Sequence, residues 1–457
     1  MRIHTTRACL VALAVCLTAE GVAHAAEVPP LVSAAKQGDT ETLRALLAQG
    51  SAVDIAEGDG TTALHWASYR DDLDATALLL DAGAAVNVAN DLGATPLWSA
   101  SQNGSVAMVR RLLEAGADPN LALWSGETPL MVGARAGATN VVERLLEHGA
   151  ETDARAARGQ TALMWAAAQQ HADVVQALVA GGADLHARSD VWSQVMAVPP
   201  HSLPEYKREI PHGGNTALLF AARGGALATA RVLIAAGANV DDTDAWGVSA
   251  TTVATHAGFT DLVELLLEAG ADANAAEAGF APIHPAVMRQ DERLVTVLLE
   301  HGADPNATLR TWTPTRRSSR DFNFAPPLVG ATPFWLAARF TAPSIMRLLA
   351  EHGADPAFVH HPDYKESTYF QPRLEETTAL MAVTGMGGGR LRGWVPPPRG
   401  EAEMRALEAA QLLVELGADL NATDANGRTA LDGARSARLK TVATYLESQG
   451  AFASAGW

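Results

Sequence analysis

Few residues in this sequence have the types and spacing that chemistry requires. His360-His361-Pro362-Asp363 gathers two imidazoles and a carboxylate, donors that suit zinc. Adjacent side chains in a loop seldom both reach one ion, and no third ligand is fixed by spacing, so an exposed polar loop is the simpler reading. Gly385-Met386-Gly387-Gly388-Gly389-Arg390 has the composition of a phosphate cradle. Such a cradle follows a strand and opens a helix that begins with lysine and a hydroxyl residue; this run follows a helical pattern and has neither, so it reads as a flexible turn. There is no Gly-x-Ser-x-Gly elbow and no His-Glu-x-x-His pair. No catalytic, cofactor-binding or metal-ligating residue is therefore assigned, and no cofactor is expected. An enzyme built around the His360 region is the least favoured function.

The cysteines point the same way. Cys9 and Cys16 both lie in a segment with Arg2 and Arg7, an apolar run over residues 8–17, and Ala23-His24-Ala25. That order is the pattern of a secretory signal peptide cut after Ala25. The apolar run is too short to span a bilayer, and Val15 disfavours lipid attachment at Cys16. The expected mature chain is periplasmic or extracellular and has no thiol chemistry. Cleavage takes Arg2, Arg7 and Glu20 from 34 basic and 51 acidic side chains, leaving 32 and 50 and a net charge of −18. A surface that acidic repels phosphate backbones, which argues against nucleic acid as a partner. No later segment is apolar enough for a transmembrane helix.

The elements that position everything else come from a period. Gly50, Gly83, Gly116, Gly149 and Gly182 follow at intervals of 33, and the same glycine recurs at Gly237, Gly270, Gly302, Gly353, Gly417 and Gly450. Each closes a segment such as residues 141–148, whose apolar side chains share one helical face. Thr62, Thr95, Thr128, Thr161, Thr216, Thr332, Thr378 and Thr429 stand where a first helix should start, since threonine caps free amides and a following proline suits the first turn. Gly60-Thr61-Thr62-Ala63-Leu64-His65-Trp66-Ala67 and Gly93-Ala94-Thr95-Pro96-Leu97-Trp98-Ser99-Ala100 resemble ankyrin repeats. The resemblance covers residues 28–452. It implies an all-α solenoid of about eleven helix-turn-helix units with hairpin fingers. Ser249-Ala250-Thr251 and Ala281-Pro282-Ile283 depart from the Thr-Pro-Leu phrase, which puts capping in those units in question. Residues 26–57 and 425–457 read as polar-faced caps. His65, His148, His284 and His301 fall at repeat positions and read as hydrogen-bonding groups between units. Trp66, Trp165 and Phe220 read as core.

Four insertions interrupt the repeats at 58–188, 212–309, 331–359 and 377–424. They occupy 189–211, 310–330, 360–376 and 385–404. The first three replace fingers and should project from one edge; the fourth separates two helices of one unit and is expected on the opposite side. The resemblance implies that partners are gripped by finger tips and by positions near the end of each first helix. Those positions are Tyr69, Arg70, Arg135, Arg223, His256, Arg339 and Phe340, with Trp124 and Trp246 on fingers. Trp312, Arg316, Arg317 and Arg320 in the second insertion have the arginine-and-aromatic make-up of an interface hot spot, and equally the make-up of a loop stitched onto the acidic solenoid. The leading function is an exported scaffold for a protein partner whose acidic or aromatic segment meets a locally basic groove. The alternative is a binder of an envelope glycan or an aromatic compound through Trp192, Trp312 and Phe322.

Overall fold

A computed structural model of the chain describes residues 28–197, 204–313, 324–365, 372–389 and 398–454. Residues 1–25 lie outside that set. Among the described residues, 22 α-helices form eleven consecutive pairs, from Pro30–Gln37 with Thr40–Ala48 to Ala430–Ser436 with Lys440–Ser448. None is long and apolar enough to cross a membrane.

The third pair shows why the sequence folds this way. Thr95 Oγ1 accepts from the Trp98 N–H at 3.2 Å and starts Pro96–Asn103, with the proline in the first turn where no donor is lost. Gly104 ends that helix at φ 71°, a left-handed conformation that costs glycine little. The second helix, Val106–Glu114, buries Met108, Val109, Leu112 and Leu113 on one side, each worth about 1.5–3 kcal/mol. First helices pack on neighbouring first helices and second on second, so each unit's apolar face is covered only by its neighbours. Of the two departures in capping, Ser249 Oγ still accepts from the Thr252 N–H at 3.2 Å. At Pro282 no cap bond forms, and His284 Nδ1 instead accepts from the Ala281 N–H.

Two hydrogen-bond ladders tie unit to unit. Along the finger tips, backbone bonds run from Asp91 N to Asp59 O, Trp124 N to Leu92 O, Ala157 N to Ser125 O and Asp190 N to Arg158 O. Four residues after most of the glycines that follow a second helix, an asparagine or aspartate reaches the next unit. Asn120 donates to Gly149 O at 3.0 Å and accepts from Glu151 N at 2.8 Å. Asn87, Asn274 and Asn306 repeat both bonds, whereas Asp54, Asp153 and Asp241 only accept.

The asparagine is replaced by His186 before the first insertion. There Arg188 takes over, donating to Gly214 O, Thr243 O and Asp242 Oδ1 at 2.6–2.9 Å. The first insertion is an antiparallel ribbon of β1 (Trp192–Ala197) and β2 (Lys207–His212). The third carries β3 (Val359–His360) paired with β6 (Thr377–Thr378), and β4 (Asp363–Lys365) paired with β5 (Pro372–Leu374). The second closes with a bond from Thr313 N to Phe324 O.

The fourth insertion departs from expectation. Residues 385–389 do not leave on the side away from the fingers; they fold back over the ninth unit's first helix, Pro333–Arg339. A Cβ on Gly388 would lie 3.0 Å from Trp335 and 3.1 Å from Leu328, and one on Gly389 2.9 Å from Pro327. Pro327 and Leu328 belong to the second insertion, so two insertions meet over the first-helix face. The tenth unit's second helix, Arg399–Glu415, then reaches back so that Arg405 approaches Gln290 Oε1 at 3.4 Å.

Candidate interaction surface

The face formed by first helices and fingers, here called the inner face, carries most of the expected contact residues. Near the ends of the first helices a repeated device appears. Arg70 donates to Lys36 O at 3.3 Å, Asn103 to Tyr69 O at 2.6 Å and Arg289 to His256 O at 3.0 Å. Each of these side chains reaches a carbonyl at the C-terminal end of the preceding unit's first helix, where a positive charge is favoured by unpaired carbonyls. Arg223 donates to Asn215 Oδ1 at 3.1 Å. These arginines are thus held by neutral oxygens, and no carboxylate among the described residues lies within ion-pair distance of Arg70, Arg223 or Arg289, although the half-buried Asp244 attracts Arg223 from farther off. Arg135 differs: it lies 3.8 Å from Glu127 and sits over the Trp165 ring at 4.9 Å.

Aromatic groups accompany the cations. Tyr69 is 56% exposed and meets Trp66 edge-on at 5.9 Å, while Lys36 lies 4.4 Å from the Trp66 ring. Trp66, Trp165 and Phe220 are half-buried at the rim of the core. Trp124 is 82% exposed at a finger tip, its indole N–H donating to Asp91 O at 2.7 Å. Trp246 is half-buried against Phe280, and His256 is exposed.

Three expected contact residues need correction. Trp312 is only 5% exposed: Arg208 from β2 stacks on its ring at 4.5 Å and reaches Thr311 Oγ1, so this tryptophan anchors the first insertion to the second. Phe340 is 1% exposed and part of the core. Arg339 is part-buried, donating from Nε to Gly387 O and from Nη2 to Gly389 O, both at 2.9 Å. Burial pushes its guanidinium down to about 10, against the pull of Glu375, so it stays charged at neutral pH. It clamps the fourth insertion and does not face a partner. Arg316, Arg317, Arg320 and Phe322 lie outside the described residues. With Trp312 buried, the glycan alternative keeps Trp192, which is stacked on His212 at 4.5 Å.

The histidine pair is split by its surroundings. His360 is fully buried, 4.1 Å from the Trp335 ring, with Nε2 3.0 Å from Val329 O, and burial pushes it down to about 4. His361 is exposed beside Glu376. The two imidazoles do not share a site, and no group of three metal-binding side chains occurs among the described residues. His65 and His284 bond across units, to Ala94 O and Ala307 O, whereas His148 and His301 bond within their own helices.

Sequence reasoning passed over Arg188 and Arg208, which tie the insertions down. For Arg188 a signal existed: the period places asparagine or aspartate at the position of residue 186 in most units, and the change to histidine marks a joint that needs another tie.

A profile of ankyrin repeats matches the chain in three copies, over residues 31–122, 119–189 and 218–309. Among solved structures, the human ASB11 ankyrin repeat domain is 29% identical, with an alignment covering 52% of this chain and 97% of that chain at a TM-score of 0.43. Because the profile spans more than half of the sequence, the chain belongs to the ankyrin-repeat family.

Proposed function

We propose that this chain is an exported scaffold that holds an acidic segment of a partner protein against the inner face of units two to eight. Ankyrin repeats generally mediate protein–protein interaction. The observation that carries the finer reading is the bonding of Arg70, Arg223 and Arg289 to neutral oxygens, which leaves their charge available on a chain that is strongly acidic overall. A positive strip on a negative body draws an acidic segment to one place and repels it elsewhere. The part-exposed rings of Tyr69 and Trp66 supply the large contact area that interface hot spots favour.

Export rests on the charge, apolar run and small-residue site of residues 1–25, and an exported product beginning at Ala26 is the direct check. Binding is tested by charge reversal. Proteins that co-purify with the wild type should be lost from Arg70→Glu combined with Arg223→Glu, and kept by Arg110→Glu combined with Arg144→Glu on second helices. Equal loss from both pairs would remove the inner face from the explanation.

A further inference from the structure

A cleft of about 400 Å³ opens between residues 385–389 and the last first helix, Ala430–Ser436. Glu375, Arg428, Asp432 and Ser436 line it, together with the backbone of Gly385, Gly387 and Gly389. Its walls are close-packed. A Cβ on Gly433 would lie 2.3 Å from Thr384 Oγ1 and 2.6 Å from Met386 Sδ, and one on Gly387 2.7 Å from Thr377 Oγ1. That size falls within the range of small-molecule sites.

The charges around it do not balance. Arg428 is spent on Asp424, with Nε and Nη2 at 2.9 and 2.7 Å from Oδ2. Glu375 accepts from Tyr364 Oη at 2.7 Å and from the Gly388 N–H at 3.2 Å, and interacts with the Arg339 guanidinium. Among the described residues no cation pairs with Asp432. Its Oδ2 accepts from Thr429 N, Thr429 Oγ1 and Ser454 N at 2.9–3.1 Å. Burial pushes its carboxyl up, but those bonds outweigh burial and hold it below the usual carboxylate range, so it is ionised at neutral pH. Asp432 is 4% exposed, and among the described residues its Oδ1 has no hydrogen-bond partner. Buried polar atoms left in that state are uncommon and call for an explanation. Two more, His360 Nδ1 and Thr377 Oγ1, lie in the same insertion junction.

We propose that this cleft binds a small monocationic donor, a guanidinium or a primary ammonium, with Asp432 as its counter-ion. Five N–H donors or three fit an acceptor-rich pocket, and the acidic lining turns away phosphates and carboxylates. The same group can be a free amine or an arginine or lysine side chain of a bound protein. The site is independent of the inner-face reading, since none of the residues reversed in that test lines it.

Calorimetric titration of the mature chain with Nα-acetylarginine amide, a monocation, represents the free source, and with acetyl-Gly-Arg-Gly-amide the protein source. One-site binding of either probe is expected, weakened about tenfold or more by Asp432→Asn. Because Asp432 also caps a helix, Ser436→Phe provides a second variant at an exposed position, filling the cleft and abolishing binding while the fold is kept. Tighter binding of the peptide assigns the site to a partner's side chain, and tighter binding of the amide to a free amine. No heat from either probe up to millimolar concentration, or wild-type binding by both variants, overturns the proposal.

Discussion

Arg339→Met isolates the clamp on the fourth insertion. Methionine keeps an apolar stem of similar length beside Gly388, so packing there is largely preserved while both bonds to Gly387 O and Gly389 O are lost. Hydrogen bonds from a charged donor contribute about 1.5–3 kcal/mol each. Sharing one guanidinium and partial exposure bring the combined loss to about 2–4 kcal/mol. Since every 1.4 kcal/mol is about tenfold, local opening of residues 385–389 should rise by about 30- to 700-fold. A solenoid couples mainly to nearest neighbours, so the effect should stay within the ninth to eleventh units. Amide hydrogen exchange read by mass spectrometry follows this directly. Peptides covering 385–389 and Pro326–Leu328 should lose protection, with those before residue 300 unchanged. Wild-type exchange across 385–389 in the variant would refute the clamp.

Three further outcomes follow from the same geometry. Asp153→Asn should add the missing donor bond to Gly182 O and raise stability by about 0.5–1 kcal/mol, while Asn120→Asp should lower it by a similar amount; thermal melts of the two variants should move in opposite directions. Trp312→Ala empties a buried site and should cost about 3–5 kcal/mol, and it should release the β1–β2 ribbon to proteolysis at its base because Arg208 loses its platform. His284 and His360 are both pushed down to about 4 by burial. Their unfolded forms titrate near 6.5, so stability is intact above that pH and is lost as pH falls toward 4, by about 3 kcal/mol for each histidine. Denaturation midpoints measured from pH 7 to pH 4.5 should therefore fall, and His284→Gln should flatten the curve.

The repeat was legible because its signals are local. A glycine that ends a helix, a threonine that caps the next and an apolar face of period 3.6 each act within a few residues, and the structure uses them at Gly116 and Thr95 as spacing alone predicts. The inner-face residues were only partly legible. Arg70 and Arg223 sit where a regular unit exposes them. Arg339 occupies the same position as Arg223, yet the fourth insertion folds onto it, and nothing in the period records where an insertion folds. For Trp312 the sequence left contact and anchoring open, because its partner Arg208 lies 103 residues away from the neighbouring Thr311. The cleft beside Asp432 was invisible, because Asp432 shows in sequence only as a capping residue.

The central claim is that a partner lies along the inner face. A photo-crosslinking residue placed at Gln102 or Gln169, both exposed there, and separately at Glu143 on a second helix, tests it in the cells that make the protein. The account predicts that Gln102 and Gln169 capture the same protein through an acidic stretch, with capture weakening as salt rises and Glu143 capturing none of it. Capture of that protein from Glu143 alone, or capture indifferent to salt, would contradict it.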